Sequence, residues 1–226
     1  MAKTINIAID GPAGAGKSTI ARRQAKELGY YYVDTGAIYR TVAYFLDLLG
    51  ISPKDTDGVE RYLDELTVAI EYDEAGKQHM LMNGMDVTGE IRTPDISQKA
   101  SLVSAHGIVR DMLLDMQRDV AKKHNVIMDG RDIGTVVLPR ATVKIFLTAS
   151  PEVRAQRRLD EMLAKGQKGN FQQVLADIQQ RDYQDSHRPI APLKQAKDAV
   201  LLDTSDLDIE GVIAAMKKIV GEKISL

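Results

Sequence analysis

Gly11-Pro12-Ala13-Gly14-Ala15-Gly16-Lys17-Ser18 follows directly on the apolar run Ile5–Ile9 and Asp10. The octet satisfies G-x-x-x-x-G-K-[ST] at every position, and a helix-compatible segment, Thr19–Leu28, comes after it. A strand, a glycine-rich turn and a helix in that order let successive backbone N–H groups close around phosphate oxygens, with the helix dipole behind them. Lys17 then reaches the β- and γ-phosphates, and the Ser18 hydroxyl joins a Mg²⁺ shell. Gly11, Pro12, Ala13, Gly14, Ala15, Gly16, Lys17, Ser18 and Thr19 are the candidate residues for holding a nucleoside triphosphate. The glycine spacing differs from G-x-G-x-x-G, which argues against a nicotinamide dinucleotide.

Outward from this loop, further short apolar runs at Tyr30–Val33, Val126–Met128, Val143–Leu147 and Ala199–Leu202 read as buried strands. Long helix-compatible segments separate them, the rhythm of a parallel sheet with crossover helices. Asp208 starts a last helix whose apolar stripe is Ile209, Val212, Ile213, Met216, Ile219 and Val220. The stretch Leu66–Val87 breaks the rhythm. Val68, Ile70 and Tyr72 alternate with polar or small residues, and His79–Met82 runs into Asn83-Gly84, a hairpin signal. A small antiparallel meander inserted in an α/β core is expected there.

Composition narrows the function. The 226 residues carry 30 Lys+Arg against 32 Asp+Glu, a net charge of −2, so no overall basic field draws nucleic acid. There is no cysteine, which excludes a disulfide scaffold, a thiolate metal site and a cysteine nucleophile. The segment from Met1 shows no secretory pattern, and no run approaches a membrane span, so a cytoplasmic protein with no membrane partner is expected.

Among proteins with such a loop, a guanine-specific switch is disfavoured because no Asn-Lys-x-Asp base reader is present. Asp55–Gly58 does spell Asp-x-x-Gly, but in a polar linker. A kinase for a small anionic acceptor makes a different demand: two polyanions must meet, and arginine forks neutralise and grip them. Arginines recur after the strands, at Arg40 in Asp34-Thr35-Gly36-Ala37-Ile38-Tyr39-Arg40 and at Arg131 in Asp129-Gly130-Arg131-Asp132. Ser150-Pro151 starts a helix with Arg154, Arg157 and Arg158 on one face, and a Gly-rich turn and an Asn170/Gln173 restart follow, the pattern of a lid. Arg181 and Arg188 close the series.

Together, Ile9-Asp10-Gly11 through Ser18, Asp34 through Arg40, Gly89-Glu90-Ile91-Arg92-Thr93, Asp129 through Val137 and Arg188-x-x-Ala191-Pro192-Leu193 resemble bacterial cytidylate kinases from residue 4 to about 220. The resemblance implies an α/β P-loop fold in three layers, with a five-stranded parallel sheet, an antiparallel NMP-binding insert and a helical lid. It divides the chain into a core (about 1–35, 100–150 and 190–226), an NMP-binding region (about 36–99) and a lid (about 151–189). It implies ATP and CMP or dCMP as partners, Mg²⁺ with the ATP, and a monomer.

Residue by residue, it implies that Thr35, Arg40, Arg131 and Arg188 hold the acceptor phosphate, and that Ser101, Arg110 and Asp132 read the cytosine edge. Arg181 and Asp185 address the ribose, and Arg157 and Arg158 are lid residues near ATP. Lys17, Arg131, Arg188, Arg157 and Arg158 are the candidate catalytic residues, and Ser18 the candidate metal ligand. Two readings stay open: Asp129 either orders a metal-bound water or caps a turn, and Gly89–Thr93 is either a hinge or a phosphate contact. The four histidines show no metal-ligand spacing, and His187 reads as a bystander. The rival functions are a kinase of the same fold for UMP, AMP or shikimate, and a nucleotide-binding regulatory module.

Overall fold

A computed structural model describes residues 4–224; Met1–Lys3, part of the leader reading, lie outside it. β1 (Asn6–Asp10) alternates Ile7 and Ile9 to one face and Ala8 to the other, and all three are fully buried. α1 (Lys17–Leu28) returns the chain to β2 (Tyr31–Asp34), and α2 (Thr35–Leu48) and α3 (Thr56–Leu63) follow. Asp55, the start of the linker Asp-x-x-Gly, caps α3 by accepting from the Gly58 N–H. A three-stranded antiparallel sheet comes next: β3 (Val68–Tyr72), β4 (Gln78–Met82) and β5 (Met85–Asp86). After a 3₁₀ turn (Glu90–Arg92) come α4 (Pro94–Val103), capped by Thr93, then α5 (Gly107–Lys123) and β6 (Val126–Gly130). One turn of π-helix (Ile133–Val137), β7 (Val143–Thr148), α6 (Pro151–Ala164), α7 (Phe171–His187), β8 (Val200–Asp203) and α8 (Ile209–Lys223) complete the order.

The main sheet is parallel throughout, in the order β2-β6-β1-β7-β8. One apolar layer joins it to α1 and α8, another to α2, α4 and α5 and to the insert, and Ala155, Val174 and Ile178 form a separate small core between α6 and α7. The expected five-stranded core and inserted antiparallel sheet are both present. Every expected strand differs by a residue or two at its ends, because parallel pairing runs through polar residues that an apolar pattern leaves out. Asp10 pairs with Gly130, Asp34 with Asp129, and Thr148 with Asp203. The carboxyl edge of the sheet is therefore lined with acids, in the crevice where such sheets bind ligands.

The insert protects the exposed edge of β2. The Gln78 amide accepts from the Asp34 N–H at 2.7 Å and donates to its carbonyl at 3.4 Å, and the Tyr72 hydroxyl donates to the Tyr32 carbonyl at 3.0 Å. Side chains thus satisfy a strand edge that would otherwise offer free pairing groups.

Candidate functional site

The phosphate loop owes its shape to backbone conformations that side chains resist. Gly11 lies at φ +152°, where a Cβ would run into the Leu147 carbonyl, and Gly16 at φ +87° is the N-cap of α1. α1 begins at Lys17 rather than at Thr19, which puts Lys17 and Ser18 in its first turn. No side chain caps that turn and no acid lies in it, as in α5 but unlike α2, α3, α4, α6, α7 and α8, which all have side-chain caps. Its first N–H groups are left for an anion.

Lys17 is buried, and its Nζ donates across the loop to the Pro12 carbonyl at 2.7 Å. Burial, reinforced by Arg131 nearby, pushes its ammonium down to about 7. Ser18 donates to Asp129 Oδ2 at 2.9 Å, and burial raises the Asp129 carboxyl, with Asp34 adding to the effect. Asp129 caps no turn: its other oxygen accepts from Tyr32 at 2.8 Å. Asp10, pushed up to about 6 by burial, accepts from the N–H groups of Ile133 and Gly134 and so ties the π turn to β1.

A second cluster is assembled from distant segments. Asp132 pairs with Arg110, their side chains 5% and 7% exposed, and lies 3.4 Å from Arg188. Arg188 also donates to Ser104 Oγ at 3.1 Å and to the Ala191 carbonyl at 2.7 Å. Arg131 pairs with Asp185 at 2.7 Å, and Ser101 Oγ lies 3.5 Å from the same carboxylate. Burial opposes ionisation of Asp185, but Arg131 and Arg181 outweigh it and hold its carboxyl low. Arg181, pushed down to about 10 by burial and by Arg131, leaves its Nε without a partner, as does Arg40, which pairs with Asp34 at 3.0 Å. Orphaned guanidinium N–H groups in a buried cationic cluster fit an anionic ligand. Thr35 spends its proton on the Asp129 carbonyl at 2.7 Å, which joins α2 to the end of β6. A cavity of about 190 Å³ opens beside Arg110, lined also by Tyr39, Leu114, Gln117, Val136 and Ile190.

The arginines of α6 separate. Arg154 reaches the phosphate loop, donating to the Ala13 carbonyl at 3.1 Å while pairing with Asp182 at 2.6 Å. Arg157 donates instead to Thr204 and Leu207, and Arg158 faces solvent beside Glu161. Helical spacing placed all three on one face, but only the packing of α6 selects Arg154. Ser104, Tyr32 and Asp182 carry no motif signal in the sequence, and Tyr32 shows there only as part of the strand run Tyr30–Val33. Gly89–Thr93 forms the 3₁₀ turn and the α4 cap, and His187 stacks on Tyr183 at the surface.

The family model described as cytidylate kinase matches residues 7–222. The chain belongs to the cytidylate kinase family. A cytidylate kinase from Exiguobacterium sp. is 46% identical over 98% of this chain and 99% of that protein. One from Carboxydothermus hydrogenoformans is 48% identical over 97% and 98%, respectively. In fold, a crystal structure of an uncharacterized protein from Eubacterium ventriosum matches with a TM-score of 0.51, at 12% identity, over 97% of this chain and 99% of that one. Among the described residues no helix is long and apolar enough to cross a membrane.

Proposed function

We propose that the chain transfers the γ-phosphoryl group of ATP to CMP or dCMP, giving ADP and CDP or dCDP. The observation that carries this reading is the buried Arg110–Asp132 pair, set beside Arg188 and Ser104 and at the end of the strand next to the phosphate loop. Cytosine offers an amine donor with N3 and O2 acceptors, so a carboxylate and a cation side by side match its edge. Uracil would set a carbonyl against Asp132 and leave a buried acceptor unpaired.

In this reading the loop amides and Lys17 hold the donor phosphates, and Arg40, Arg131 and Arg188, with Thr35, hold the acceptor phosphate. Ser101 joins Arg110 and Asp132 at the base, and Arg181 and Asp185 take the ribose. Arg154 ties the lid to the loop; Arg157 is anchored at Thr204, so Arg158 comes to the donor only when the lid moves. The nucleophile is a phosphate oxygen already ionised at neutral pH. It forms a new bond to the γ-phosphorus as the bond to the β-phosphate oxygen breaks, and no general base is needed. The chain's work is to align the two phosphates and neutralise their charge.

The donor set near the loop fits Mg²⁺: the Ser18 hydroxyl and the Asp129 carboxylate are hard oxygens on one hydrogen bond. Among the described residues no group of three or more His, Asp or Glu side chains is placed to hold a metal. Ser18 and Asp129 would therefore hold the ion together with phosphate oxygens and water. Bound there, Mg²⁺ offsets charge on the β- and γ-phosphates.

A coupled ADP-release assay with CMP, dCMP, UMP, AMP and dTMP tests the reading. CMP and dCMP are expected to lead. A different leading acceptor would reassign the substrate, and release independent of any acceptor would overturn phosphotransfer.

A further inference from the structure

Both oxygens of the Asp129 carboxylate are held by hydroxyl groups from different elements. Ser18 in α1 donates to Oδ2 at 2.9 Å, and Tyr32 in β2 donates to Oδ1 at 2.8 Å. Asp129 and Tyr32 are 4% and 6% exposed, so no bulk water competes for these bonds. The phosphate loop explains Ser18; nothing in the loop or the acceptor cluster accounts for Tyr32.

We propose that Tyr32 is a positioning residue for the Mg²⁺·nucleotide complex: it fixes the rotation of the Asp129 carboxylate so that Oδ2 stays turned toward Ser18. The inference rests on the kinase reading above.

The terminal torsion of an aspartate is soft, and an unrestrained carboxylate turns toward the strongest nearby charge. Asp129 is attracted by the charge of Lys17 and repelled by that of Asp34. A carboxylate that swung to the Lys17 ammonium would take the lysine away from the phosphates and its own oxygen away from the metal shell. A donor on Oδ1 prevents both.

The chemistry of that donor also matters. An arginine or lysine at this point would pair with the carboxylate and cancel the charge that attracts a divalent cation. A phenol gives a strong hydrogen bond and leaves the full negative charge in place. Carboxylates that ligate metals are characteristically hydrogen-bonded in this way, and losing such a partner lowers metal affinity by about 10- to 100-fold.

Tyr32 is itself held. The Arg22 guanidinium lies 5.3 Å from its ring centroid, and Tyr72 of the insert donates to its carbonyl at 3.0 Å. The phenol is thus fixed from the α1 side and its backbone from the insert side. A residue serving only to fill the space between the sheet and α1 would need the ring but not the hydroxyl.

That distinction sets the experiment. Calorimetric titration would measure the affinity of wild type, Tyr32→Phe and Tyr72→Phe for ADP, once with Mg²⁺ and once with EDTA. Tyr32→Phe is expected to weaken MgADP binding by about tenfold and to leave metal-free ADP binding unchanged, which also shows that the variant is folded. Tyr72→Phe, which loses a hydrogen bond in the same cluster without touching Asp129, is expected to match wild type in both titrations. Equal losses with and without Mg²⁺ in Tyr32→Phe, no loss in either, or the same metal-dependent loss in Tyr72→Phe would each overturn the positioning role. Wild-type chain that bound no ADP would bring down the kinase reading, and this role with it.

Discussion

In the proposed reading the phosphate loop and the acceptor cluster both receive phosphate, but they are built in opposite ways. The loop is one contiguous octet whose ligands are mostly backbone N–H groups, left free because α1 has no side-chain cap. The acceptor cluster draws on α2, α4, α5, the end of β6, α7 and the turn after it, and its charges are paired with one another: Arg40 with Asp34, Arg110 with Asp132, Arg131 with Asp185. The loop is an open cradle; the cluster is a partly neutralised lattice, in which Arg188 shares Asp132 with Arg110 and Arg40 Nε and Arg181 Nε have no partner. The difference follows from desolvation. Backbone dipoles carry no net charge and can wait for a ligand, whereas buried guanidinium groups without counter-charges would destabilise the fold. Ligand binding at the cluster is then an exchange of ion pairs, and its strength depends on which pairs it replaces.

The strongest way to break this contrast is at Lys17, the loop's one full charge. Lys17→Ala is expected to lower kcat by about 10³-fold. Because a buried ammonium is removed, the melting temperature should hold or rise. Near-normal turnover would show that the loop amides alone suffice.

Asp132 tests the lattice. Asp132→Asn removes the counter-charge of Arg110 and puts an amide donor, able to meet the uracil carbonyl, where one acceptor oxygen stood. The ratio of kcat/KM for CMP over UMP is expected to fall by about 10²-fold. An unchanged ratio would mean that the pair serves the fold rather than the base.

Arg154 joins the two regions through the lid, so Arg154→Ala should act on both activity and stability. KM for ATP is expected to rise by about tenfold, and a denaturant titration should show a loss of about 2–3 kcal/mol, less than a fully buried pair would cost because Asp182 is partly exposed. A loss of stability with an unchanged KM would confine Arg154 to lid packing.

The smallest effect lies outside both regions, at His79 in the insert. Its imidazole lies 2.7 Å from Asp86 and 3.4 Å from Asp73, with Lys77 nearby and Glu71 opposite it on β3. Hydrogen bonds to Asp86 and then Asp73 raise it above its ordinary 6.5. Asp86, held down to about 2 chiefly by the Thr88 hydroxyl, stays charged throughout. The stabilisation is therefore complete below pH 6.5 and is lost as pH rises through the higher folded-state value. His79→Gln should flatten melting temperature against pH above pH 6.5 and leave kcat unaltered; identical pH profiles would remove the effect.

How much could be read from the chain depended on how local each feature is. Gly11–Ser18 was legible because every constraint on it, positive φ, close backbone approach and a helix start, acts within a few residues. The strands were legible as apolar runs, but not their acidic ends, because Asp10, Asp34 and Asp203 are held by pairing across the sheet. Arg154, Arg157 and Arg158 could be placed on one helix face, yet Asp182, Thr204 and Ala13, which sort them, lie 28 to 141 residues away along the chain, and Arg158 meets only its own helix.

By itself the sequence determined the phosphate loop, the alternation of strands and helices, the antiparallel insert and a family resemblance strong enough to name a substrate class. Only the tertiary structure decided which charges meet: that Arg110 faces Asp132, that Arg131 faces Asp185, that Arg154 alone of its row touches the loop, and that Tyr32 holds Asp129. Local patterns are written in dihedral preferences and hydrophobic period, which a chain carries with it. Long-range ion pairs are chosen by burial, where each charge settles on the counter-charge that packing brings within reach.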